Sequence, residues 1–149
     1  TFYAHYPDVQ GMVEEMIDEM VSDSIALAND LDFEDLFSNP TPFLRSLINI
    51  GLENTEMYQL LGRSDFALKQ VEKLKEALVE RAVRTMSIPE NVRGSTVFQI
   101  HISFFVGGIL NTYQRWLQGK LDCSAEEIMD QIGTLITSNA DLYRSLAHQ

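Results

Sequence analysis

Apolar residues recur at helical spacing through most of the chain, and this recurrence divides it into elements. From Asp8 to about Leu31, the positions Val9, Met12, Val13, Met16, Ile17, Met20, Val21 and Leu27 share a side, with Glu14, Glu15, Asp18 and Glu19 between them. Asp8, after Pro7, suits the N-cap because its carboxylate can accept the free N–H groups of the first turn. Asp30 to Pro42 reads as polar and turn-forming apart from Leu31, Phe33, Leu36 and Phe37. Thr41 and Pro42 then read as N-cap and first position of a helix carrying Phe43, Leu44, Leu47, Ile48 and Leu52, which ends near Asn54.

Glu56 to Leu61 predicts a short helical turn closed by Gly62, and Ser64 can cap the next helix. That helix places Phe66, Val71, Leu74, Leu78, Ala82 and Met86 on one side, with Lys69, Lys73, Glu76 and Glu80 outward. Another begins between Ser87 and Ser95 and reaches Gln118. It is apolar nearly all round, from Val97 and Phe98 to Trp116 and Leu117, so it requires burial on more than one side. Gly119 is the expected left-handed stop, with Leu121 folding back. Ser124-Ala125-Glu126-Glu127 is a capping box opening a last helix striped by Ile128, Ile132, Leu135, Ile136, Leu142 and Tyr143. No segment alternates at period two over a useful length. The expected fold is all-α, a bundle of about six helices.

Composition narrows the class. The chain has 149 residues, enough for one domain to bury its own core, and its 45% hydrophobic and 22% charged residues are ordinary for a globular protein. No apolar run approaches the ~18 residues of a membrane span and no charged-then-apolar leader opens the chain, so no membrane partner is expected and a cytoplasmic location is. The one cysteine, Cys123, cannot form an internal disulfide or a cysteine cage.

The formal net charge of −11 is unevenly placed. Between Thr1 and Glu56 the only Lys or Arg is Arg45, against acidic residues from Asp8 to Glu56. DNA affinity requires Lys and Arg against phosphate, so these residues are not expected to hold DNA; a solvated acidic surface is the plain reading.

Catalytic patterns are missing from the sequence: it has no Glu-x-x-His pair for a di-iron bundle, no Gly-rich phosphate loop and no nucleophile motif. No enzymatic activity, metal or cofactor is expected. Cys123, just before a helix start, is either a thiol sensor or an inert loop cysteine.

Thr1-Phe2-Tyr3-Ala4-His5-Tyr6-Pro7-Asp8 resembles the junction that ends the helix-turn-helix of TetR-type (tetracycline-repressor-like) transcription regulators. The resemblance implies that residues 1–7 finish a DNA-reading headpiece whose earlier helices precede Thr1, that Tyr3 and His5 face phosphates, and that residues 8–149 form the ligand-binding and dimerisation domain. Val9 stands where the family often has lysine, a departure that removes one phosphate contact. Phe104-Phe105-Val106-Gly107-Gly108-Ile109-Leu110, then Trp116-Leu117, then Ser124-Ala125-Glu126-Glu127-Ile128, is similar to the closing pattern of a TetR subgroup that includes regulators of dihydroxyacetone kinase genes. Met57-Tyr58-Gln59-Leu60-Leu61-Gly62 resembles a segment of the same subgroup. This implies a homodimer in which the last two long helices of each subunit pair in a four-helix bundle, with a ligand cavity among the preceding helices.

The residues support a dimer independently. A helix apolar on most faces has one face left after meeting its own core, and adjacent Gly107 and Gly108 would let another backbone approach, or would merely ease packing within one subunit. Candidate interface residues are Gly107, Gly108, Thr112, Trp116, Ile128, Ile132 and Leu135. Trp116 serves equally as a core anchor. For a small, partly apolar effector the candidate walls are Phe43, Leu47, Tyr58, Phe66, Phe98 and Phe105, with His101 as the polar group; each reads equally as core, and His101 as a buried histidine bonded to a neighbouring helix. The sequence therefore points to a ligand-responsive regulator reading operator DNA through its headpiece. The alternative is a stand-alone acidic helical interaction module without a small-molecule ligand.

Overall fold

The computed structural model of the chain describes residues 9–53 and 65–145, and these form helices joined by turns, with no strand among them. In chain order they are α1 (Val9–Asn29), α2 (Phe33–Ser38), α3 (Thr41–Glu53), α4 (Asp65–Thr85), α5 (Glu90–Arg93), α6 (Thr96–Leu117), α7 (Ala125–Ser138) and α8 (Ala140–Ser145). The long helices follow the apolar periodicity; the additions are the short elements α2, α5 and α8.

Helix α2 corrects the reading of Asp30–Pro42 as turn alone. The Asp32 carboxylate accepts from the Glu34 N–H at 2.9 Å, satisfying an amide of the first turn, while Phe33, Leu36 and Phe37 bury against the core. Three burying side chains in six residues outweigh the turn-forming tendency of the polar residues between them. Helix α3 begins one residue earlier than expected: the Leu44 N–H donates to Pro40 O at 3.1 Å, so Thr41 is already helical, and Pro42 remains in the first turn where its missing N–H costs nothing. The last helix is interrupted at Asn139, whose backbone and side-chain nitrogens both donate to Leu135 O, and α8 begins at Ala140.

Other expected stops and starts hold. Gly119 has φ 74°, and the Lys120 N–H donates to Arg115 O at 2.9 Å, closing α6 with Leu121 packed back on the core. Ser124 and Glu127 form both bonds of the capping box. Ser95 caps α6 by accepting from the Phe98 N–H at 3.2 Å. Asp8 and Ser64 lie outside the described residues.

One core runs through the helices. Helix α1 packs chiefly on α4 and also on α3, while α6 meets α4, α3 and α7. Val13, Ile17, Met20 and Val21 of α1, Leu44, Leu47 and Ile48 of α3, Leu74, Leu78 and Ala82 of α4, and Phe98, Ile102, Val106 and Leu110 of α6 are all buried. Helices α3 and α6 come close together at Gly51 of α3. A Cβ there would overlap the Tyr113 hydroxyl and come within 2.8 Å of a Leu117 methyl of α6. That hydroxyl donates to Leu47 O at 2.8 Å, so the glycine lets α3 and α6 approach and the tyrosine fastens them.

Candidate functional site

Helix α6 owes its burial to one face only. Phe98, Ile102, Phe105, Val106, Leu110, Tyr113 and Leu117 point into the core. On the opposite side Val97 is 51%, Ile100 62% and Phe104 83% exposed, and Leu135 of α7 continues the apolar surface at 61%. No Asp, Glu, Lys or Arg occurs between Arg93 and Arg115, so the α6 part of this face carries no formal charge.

The α6–α7 seam opens into a groove of about 160 Å³, lined by Phe104, Phe105, Gly108, Ile109 and Thr112 of α6, by Ile132, Leu135 and Ile136 of α7, and by Asn139. The Thr112 hydroxyl turns back to Gly108 O at 2.8 Å, so it presents mainly its methyl outward. At both Gly107 and Gly108 an added Cβ would meet nothing within 4 Å. Packing against the described residues therefore does not require either glycine.

Four of the candidate interface residues, Gly108, Thr112, Ile132 and Leu135, line this groove, and Gly107 adjoins it. Ile128 is buried in the core of the chain. Trp116 lies outside the groove lining: its indole N–H donates to Cys123 O at 3.0 Å, fastening the α6–α7 turn beside a shallow depression that also touches Leu52, Leu121 and Cys123. Cys123 is half-buried there and unpaired in any disulfide.

The candidate effector walls do not gather around one opening. Leu47 and Phe98 are fully buried among core side chains. Phe105 packs its ring on Phe37 of α2, centroids 5.7 Å apart, and its edge also reaches the α6–α7 groove. Phe43 is half-buried on an outer depression rimmed by Asp30, Asp32 and Asp35. His101 is half-buried on α6. Tyr3, His5, Tyr58 and the side chain of Phe66 lie outside the described residues.

Two residues carry information that the periodicity missed. Phe104 was legible only as part of an all-round apolar helix, although Val97, Ile100, Phe104 and Gly108 follow one another at three- and four-residue spacing. Gln70 lies one turn before Leu74, in the buried stripe of α4, where the sequence pointed to Val71 instead. It is 5% exposed and its side-chain oxygen accepts no hydrogen bond. Ser24, the other buried polar side chain among the described residues, bonds Met20 O at 2.9 Å.

The foot of α1 is tied to α4. Arg81 Nε donates to Leu31 O at 2.7 Å, and the Phe33 N–H donates to the Thr85 hydroxyl at 3.2 Å. The outward side of α1 is acidic, with Glu15, Asp18, Glu19 and Asp23 exposed. Among the described residues no group of three His, Cys, Asp or Glu could hold a metal ion, and no helix is long and apolar enough to cross a membrane.

The described residues thus form a helical bundle with a long leading helix packed on its neighbours and an apolar face left exposed on α6. Residues 38–138, about two thirds of the chain, match the family model described as the C-terminal region of TetR transcriptional regulators. The chain belongs to that family. No curated protein and no solved structure matches it.

Proposed function

We propose that this chain is the effector-sensing and dimerising part of a ligand-responsive TetR-type regulator, with DNA reading carried by a helix-turn-helix that ends at residues 1–7. In this reading it dimerises through α6 and α7, and the islands Phe104–Leu117 and Ser124–Ile128 support a likeness to the regulators of dihydroxyacetone kinase genes. The observation that carries the reading is the attachment of α1. Its inner face packs on α4, its foot is bonded to Arg81, and its outer face meets water, so a displacement of α4 moves α1 as a rod. Two heads must sit about 34–36 Å apart to reach successive major grooves, so a shift of a few ångströms at the head takes one out of register.

Supporting evidence for an effector is the unbonded oxygen of Gln70. A buried acceptor without a donor costs about 1–3 kcal/mol, and a donor on a small molecule would offset that cost. Of the candidate walls, Phe43 and Phe105 each edge a surface depression and His101 is half-buried, whereas Leu47 and Phe98 lie in the core. The experiment is a thermal-shift screen of small, partly apolar molecules against the chain, repeated on Phe98→Ala and His101→Ala, followed by operator titration of the protein bearing its headpiece. A stabilising molecule should change operator affinity roughly 5- to 150-fold, the usual range of allosteric coupling. A molecule that stabilises both variants as well as the parent puts the site elsewhere. One that binds without altering operator affinity removes the sensing mechanism and favours the acidic interaction module.

A further inference from the structure

We draw no further inference here: the strongest candidate, the exposed apolar face of α6 with the α6–α7 groove that Phe104 lines, carries nothing, because nothing in the structure shows what covers it.

Discussion

Helices α1 and α6 have nearly the same length, 21 and 22 residues, and each buries one side in the same core, yet their outer sides are opposites. Outside α1 stand Glu15, Asp18, Glu19 and Asp23; outside α6 stand Val97, Ile100 and Phe104. Water solvates the first surface at little cost. The second keeps apolar area exposed, at roughly 25 cal/mol for each Å² that a partner would cover. An inner face thus reports only that a helix belongs to the fold, whereas the outer face reports what surrounds it. The inverse misplacement occurs at Gln70, a polar group held inside where Phe104 is an apolar one held outside. Both positions depart from what stability of a lone subunit favours, and both are candidates for function for that reason.

The largest effect that would sharpen this comparison separates the two faces of α6. Phe98→Ala, on the inner face, should lower unfolding free energy by about 3–5 kcal/mol at every protein concentration, because it leaves a cavity in a packed core. Phe104→Ala should instead remove only the part of stability that rises with concentration. Urea titrations at two protein concentrations check this, and a concentration-independent loss of several kcal/mol from Phe104→Ala would place that ring in the core.

At Gln70 the expected change has the opposite sign. Gln70→Leu should stabilise the ligand-free chain by about 1–2 kcal/mol, since leucine continues the stripe of Leu74 and Leu78 and leaves no unbonded oxygen, and it should abolish the thermal shift caused by an effector. A drop in melting temperature would mean that the amide holds the fold together.

The smallest effect belongs to the outer side of α1. The double substitution Asp18→Lys with Glu19→Lys should change stability by no more than about 0.5 kcal/mol and leave the dimer intact, because both positions are exposed and neither forms a recorded ion pair. The unmodified chain should show no salt-dependent binding to duplex DNA in a fluorescence titration at physiological salt, given its acidic first third. Tight binding there would show that the acidic side is not what faces the solvent near DNA.

Local chemistry explains what was legible in advance. The capping box at Ser124, the left-handed Gly119 and the cap at Ser95 act within a few residues of chain, so spacing alone locates them. The helices α1, α3, α4, α6 and α7 follow from a periodicity repeated over three or more turns, and the inner faces of α1 and α3 follow with it, whereas α6 read as apolar nearly all round and is buried on one face only. Short α2 was not legible, since its stability comes from Phe33, Leu36 and Phe37 meeting a core assembled by distant helices. The α1–α4 tie through Arg81 joins residues 50 apart in sequence, and the Tyr113–Leu47 bond residues 66 apart.

The candidate site divides along the same line. Gly108, Thr112, Ile132 and Leu135 could be chosen from the sequence, but that they wall one groove beside Phe104 depends on the angle at which α7 returns along α6. The effector walls were chosen as aromatic positions on apolar stripes, a pattern that core and pocket share, and the structure distributes them between core and surface. By itself the sequence determined which long segments are helical and, for α1 and α3, which side is apolar, because those properties depend on neighbours one turn away. Only the tertiary structure decided which apolar sides are covered, because covering is a matter of which helices meet: α4 and α3 close over α1, and among the described residues nothing closes over Phe104.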